Sequence, residues 1–157
     1  YITKPFSNKL LRAKVKNIIQ NRLLLQKKFR NDPHIKVSEV TSNTLDQKFL
    51  DQARAIVLNH IDQTEFVAQD FAREMGVGRS KLFDKIKGIT GQTPNEFIVS
   101  IRLAKAAEML LNEHDELNIS EIAYTVGFST ASYFSKCFKQ HFGVTPTEYV
   151  LSGAKKE

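Results

Sequence analysis

The chain has 157 residues, 41% hydrophobic and 25% charged, with no Trp and a net charge of +6. That length carries one good core, or one domain plus an appendage. No apolar run approaches the roughly 18–20 residues that span a bilayer, the N-terminus lacks a signal-peptide pattern, and the lone Cys137 excludes an internal disulfide and fits a reducing compartment.

The charge is unevenly spread. Residues 1–44 hold ten Lys/Arg and two Asp/Glu, whereas residues 45–157 hold thirteen Lys/Arg and fifteen Asp/Glu. The larger part nets −2, so any basic footprint there must come from local sorting. His34, His60, His114 and His141 show no metal-ligand spacing with one another or with Cys137. No Ser/His/Asp or Cys/His grouping, phosphate-cradling Gly loop or paired acids stand out. The expectation is a non-enzyme with no catalytic residues, no cofactor and no metal.

Taken in order, the chain opens on YITKPF, an apolar stretch that reads as the middle of a longer protein. A helix is predicted over 7–29, with Ser7 as N-cap and Leu11, Val15, Ile18, Leu25 and Phe29 forming a heptad-like stripe interrupted at Arg22. Two readings stay open for it: an amphipathic helix lying on a globular body, or one that also pairs with its twin in a dimer. Residues 30–44 are polar, contain Pro33 and read as a linker. Thr44 to Gln47 forms a T-x-x-Q capping box, followed by a helix with Phe49, Ala53, Ile56, Val57 and Ile61 on one face. From there to Tyr149 helix follows helix, and no stretch alternates with period two. The fold class expected is all-α.

One pattern is written twice. DFAREMG (70–76) matches EIAYTVG (121–127), and LFDKIKGITGQTPNEFI (82–98) matches FSKCFKQHFGVTPTEYV (134–150). Ala72 and Ala123 are small where a second helix must cross closely. Gly76 and Gly127 end a helix in the left-handed conformation that Gly enters cheaply. A second helix follows, with Leu82 and Ile86, or Phe134 and Phe138, on its inner face. Helix, tight Gly turn and steeply crossing helix make a helix-turn-helix, whose second helix presents an outer face that fits a DNA major groove. Gly91 and Gly143 break the chain after it. Thr93 and Thr145 then cap the next helix, Pro94 and Pro146 take its first position, and Glu96 and Glu148 close a capping box. Between the units Pro94 to about Leu111 is a linker helix of ~27 Å, against ~34 Å between successive major grooves on one DNA face.

The outer face of predicted recognition helix 79–90 carries Arg79, Ser80, Lys81, Asp84, Lys85 and Lys87; that of 130–141 carries Thr130, Ala131, Ser132, Tyr133, Lys136 and Lys139. Short hydrogen-bonding groups approach base edges, and long cations reach phosphates or guanine. Acids gather elsewhere, at Glu108, Glu113, Asp115, Glu116 and Glu121. Arg79, Ser80, Lys81, Asp84, Lys85, Thr130, Ala131, Ser132, Tyr133, Lys136 and Lys139 are the candidate DNA-binding residues. Tyr133 has two open roles, packing or a phosphate hydrogen bond. Cys137 reads as packing, and Asn118 with Glu121 as a capping box, whereas the matching position in the first unit is Val67, which cannot cap.

Residues 45–150 resemble the DNA-binding domain of the AraC family of transcription regulators. The resemblance rests on ISEIAYTVGFSTASYFSKCFKQHFGVTPTEYV, which carries I-x-x-I-A, G-F, Y-F-x-x-x-F-K and F-G-x-T-P-x-x-Y. It implies seven helices, two helix-turn-helix units and a linker helix, with Ser80, Asp84, Ser132 and Lys136 facing bases or backbone. Family members usually carry a basic residue where Asp84 stands. YITKPFSNKLLRAKVKNIIQNR is similar to the end of a response-regulator receiver domain, Lys4 matching the Lys that contacts the phosphorylated Asp. The order of the two resembles hybrid two-component systems.

The organisation expected is a receiver remnant and connecting helix (1–29), a linker (30–44), an AraC-type double helix-turn-helix domain (45–151) and a tail (152–157). The function expected is a sequence-specific, DNA-binding transcription regulator. The partners implied are double-stranded DNA, RNA polymerase and a second copy of the full-length chain. The location implied is cytoplasmic, with an upstream sensor region as membrane anchor. The alternative is a helical dimerisation or interaction module that reads no sequence.

Overall fold

The computed structural model describes residues 8–31, 44–112 and 117–153. Eight helices appear among them: α1 (Asn8–Asn31), α2 (Thr44–Asn59), α3 (Ala68–Glu74), α4 (Arg79–Thr90), α5 (Pro94–Asn112), α6 (Ile119–Thr125), α7 (Ala131–Phe142) and α8 (Pro146–Gly153). The all-α expectation holds, with seven helices after the arm. Ser7, Lys4, residues 32–43 of the linker, and Glu113, Asp115 and Glu116 lie outside the described residues. So do the side chains of Ile18, Arg22, Leu25, Phe29 and Thr44, and with them part of the heptad stripe and the Thr44 capping box.

Local sequence explains where the helices start and stop. Thr93 N–H donates to Glu96 Oε2 at 2.7 Å, and Glu96 N–H donates to Thr93 Oγ1 at 3.3 Å. Thr145 and Glu148 repeat the exchange at 2.7 and 3.3 Å. Asn118 and Glu121 do so at 2.8 and 3.0 Å. Each box satisfies two N–H groups that the first helical turn would otherwise leave without partners. The four breaking glycines take positive φ: Gly76 64°, Gly91 77°, Gly127 81° and Gly143 80°. Val67 does precede α3 without a side-chain cap. The start of α3 is nonetheless held, because Asn95 Oδ1, on α5, accepts from Ala68 N–H at 3.2 Å.

Packing divides the chain into two cores on one spine. The first gathers Leu50, Ala53 and Val57 of α2, Phe71, Leu82 and Ile86, and Phe97, Ile98 and Ile101 of α5. The second gathers Leu103, Ala106, Ala107 and Leu110 of α5 with Ile122, Phe128, Phe134 and Phe138. Ala72 and Ala123 are buried, as their size predicts. Phe71, Phe97, Phe134 and Phe138 are the largest fully buried side chains. Each contributes roughly 2–3 kcal/mol of burial free energy. Helix α5 thus serves both cores, the change falling between Ile101 and Leu103. Leu111, near its end, is exposed. In α2 the stripe is centred on Leu50, Ala53 and Val57, with Phe49 and Ile56 half-buried, and Ile61 lies past the helix end against the second core. The arm α1 packs against α4, and Gln26 Nε2 reaches the carbonyls of Lys87 and Gly88 at 3.5 and 3.4 Å.

Candidate nucleic-acid interface

Helix α4 follows α3 across the Gly76 turn and turns Leu82, Ile86 and Ile89 inward. That leaves Arg79, Ser80, Lys81, Phe83, Asp84 and Lys87 exposed. Arg79, Ser80, Phe83 and Asp84 share a groove with Thr93 and Asn95 at the start of α5. Lys85 sits differently from the other cations of α4. It is half-buried, its ammonium 3.9 Å from Asp46 Oδ1 and 4.7 Å from the Phe49 ring centroid, drawn back onto α2. Lys87 lies 5.2 Å from the centroid of Phe83. Phe83 is not among the residues expected from the sequence, although a helical wheel sets it beside the inner stripe at the edge of the outer face.

Helix α7 is built alike. Phe134 and Phe138 face inward, and Ser132, Tyr133, Lys136, Lys139 and Gln140 are exposed. Thr130 precedes the helix, and its Oγ1 accepts from Tyr133 N–H at 3.2 Å. Its oxygen therefore caps α7, while its O–H remains a donor to the outside. Ala131 is half-buried against the second core. The Tyr133 ring leans on Phe128, centroids 5.8 Å apart, and stays half exposed. A hydrogen bond with the Cys137 thiol, followed by the nearness of that group, pushes the Tyr133 phenol above its ordinary value. Tyr133 thus packs on Phe128 with its hydroxyl beside the Cys137 thiol. Cys137 is half-buried against the second core.

The helix starts differ in charge. Helices α2, α3, α5, α6 and α8 each carry an acid in the first turn: Asp46, Asp70, Glu96, Glu121 and Glu148. Helices α4 and α7 carry none, and neither does the arm α1. Helix α4 also lacks a side-chain cap behind Gly78 and opens on Arg79 and Lys81. Cations at the positive end of a helix dipole are unfavourable by a few tenths to about 1 kcal/mol, and an approaching anion reverses that. Helix α4 thus opens on cations with no acid beside them, whereas α7 opens on the uncharged Ala131, Ser132 and Tyr133 behind the Thr130 cap. Among the described residues no group of His, Cys, Asp and Glu could hold a metal ion, and no helix is long and apolar enough to cross a membrane.

Comparison with known proteins agrees with this geometry. The model of a helix-turn-helix domain family matches residues 71–151, about half of the chain. A protein named histidine kinase P4, from Formosa agariphila, is 46% identical over 149 residues, which are 95% of this chain and 11% of that protein. The chain therefore spans about a tenth of that relative's length. The C-terminal domain of AraT, a response regulator from Geobacillus stearothermophilus, is 35% identical with a TM-score of 0.59, over 66% of this chain and 84% of that one. A transcriptional regulator of the AraC-type DNA-binding class from Chromobacterium violaceum is 27% identical with a TM-score of 0.65, over 73% and 100%. The paired units, the shared spine and these matches together assign the chain to the AraC-type helix-turn-helix family.

Proposed function

We propose that residues 45–151 are a two-headed, sequence-specific DNA reader, the cytoplasmic output portion of a longer two-component regulator, with no catalytic step of its own. Helices α4 and α7 enter consecutive major grooves of one duplex. Arg79, Lys81, Lys136 and Lys139 contact phosphate or guanine; Ser80, Ser132 and the Thr130 hydroxyl lie near base edges or sugar–phosphate oxygens. Asp84 accepts from a cytosine amino group. Lys85, paired with Asp46, contributes only by exchanging that partner for a phosphate. The observation that carries this reading is that, among the described helices, only α4 and α7 follow a Gly turn with an acid-free first turn and carry exposed cations on the outer face. The kinase name of one relative and the response-regulator title of another support the two-component setting.

The test is fluorescence anisotropy on duplexes selected from random DNA, repeated across salt. Lys136→Ala should weaken binding to every sequence and flatten the slope of log affinity against log salt by about one. Ser132→Ala should change preference at one base position and leave the slope alone. If neither variant alters affinity, slope or preference, α7 is not a reading head.

A further inference from the structure

Arg102 stands at the point on α5 where the helix passes from one core to the other, Ile101 belonging to the first and Leu103 to the second. It is only 6% exposed. Its Nη2 donates at 2.6 Å to the carbonyl of Gln63, in the segment that joins α2 to α3. That segment is itself shared between the units. Ile61 packs on the second core, whereas Phe66 lies in the first with the His60 ring stacked on it at 4.6 Å. The turn of the second unit rests on the same spot. A Cβ at Gly127 would lie 2.9 Å from Arg102 Cζ and 3.0 Å from its Nη2, and would collide with the Ile61 carbonyl oxygen. One guanidinium therefore touches the spine, the strap of the first unit and the turn of the second. Elsewhere the units face each other across a groove, lined by Gln92, Asn95 and Glu96 on one side and Tyr133, Gln140 and His141 on the other.

Stability alone does not account for this residue. Desolvation disfavours its charge, Asp62 offsets that in part, and its Nε is buried without a partner. An apolar side chain of similar volume avoids those costs. What an apolar side chain cannot do is bond a main-chain carbonyl across the junction. A helix spine alone fixes the distance between two packed units poorly against roll about its axis. We propose that Arg102 is a positioning residue that sets the angle and spacing between α4 and α7, and so the number of base pairs allowed between the two elements of the DNA site.

The inference rests on the two-groove reading above. Each inserted base pair moves the second element by about 3.4 Å and turns it by roughly 35°. A stiff junction must therefore discriminate sharply between spacers, and a loose one must not. The experiment measures affinity of the intact chain for duplexes holding both elements at the preferred spacer, the same duplexes with one or two inserted base pairs, and duplexes with one element only. For the native chain each inserted base pair should cost about tenfold or more. Arg102→Met should reduce that penalty to about threefold or less, with single-element affinity unchanged within about twofold. Gln63→Ala should behave as native, because the acceptor is main chain. If circular dichroism finds Arg102→Met unfolded, Arg102→Lys is read on the same panel, and a penalty between the two limits is expected. A native spacer penalty in the folded Arg102 variant overturns the proposal, as does an equal loss on single- and double-element duplexes, which marks a merely structural role. A native chain indifferent to spacer refutes the two-groove reading and this inference with it.

Discussion

Residues whose roles depend on neighbours three or four positions away are legible in the sequence itself. The Thr93–Glu96, Asn118–Glu121 and Thr145–Glu148 boxes all form as the spacing predicts, because a capping exchange involves a single helical turn. Lys85 and Arg102 are not legible in the same way. The direction of Lys85 depends on where α2 brings Asp46 and Phe49, and the burial of Arg102 depends on Gln63 and Gly127. Neither pattern repeats at helical spacing. His141 carries a pH consequence. Burial holds its ring below the ordinary 6.5, and its Nε2 has no hydrogen-bond partner. The unfolded chain thus takes up the proton first as pH falls. The contribution of His141 is fully present above about 6.5 and is lost as pH drops through the lower folded value. In urea melts at pH 7.5 and 5.5, the native chain should lose more stability on acidification than His141→Gln. Equal losses in the two proteins would show that the ring is hydrated when folded.

Helices and turns can be read well where the chain repeats itself. Two copies of one pattern fix the order of helix, Gly turn, outer helix and restart, and α3 to α8 follow it. The first unit departs at its opening helix. Val67 takes the extended conformation of a cap residue, φ −121° and ψ 173°, but offers no acceptor, and Asn95 serves Ala68 N–H from another helix. The missing cap is visible in the sequence but its replacement is not, since Asn95 is 27 residues away along the chain. A local remedy follows. Val67 is 48% exposed, so little burial is lost by replacing it. Val67→Ser should supply a hydroxyl to the N–H groups of the first turn and raise unfolding free energy by about 0.5–1 kcal/mol in urea denaturation. Asn95→Ala should lower it by a similar amount. A Val67→Ser protein no more stable than the parent would mean that the Asn95 bridge already saturates that helix start.

Among the described residues, the arm rests chiefly on the first unit. Helix α1 rests on α4, with Gln26 against Gly91 and bonded to the Lys87 and Gly88 carbonyls at the C-terminal end of that helix. The amphipathic stripe of α1 can be read from the sequence, but the surface that receives it cannot, because α4 shows only ordinary turn and charge signals there. Leu11 and Val15 of that stripe are exposed, as are Ile19, Leu23 and Leu24 outside it. Any strain or displacement applied to α1 is therefore delivered to the end of the first outer helix before it reaches the second, which sits beyond α5. Hydrogen exchange can test that order. Removing residues 1–43 leaves Thr44 to begin α2 and takes away the Gln26 bonds while keeping every described residue of the two cores. Exchange should accelerate by about tenfold at the amides of Ile89 to Gln92, whose helix end loses its cover. The amides of α7 should keep their native rates, because the Arg102 junction and the second core are intact. Equal acceleration in α4 and α7 would instead mean that the arm stabilises the two units as one cooperative body, and that what it transmits is not confined to the first outer helix.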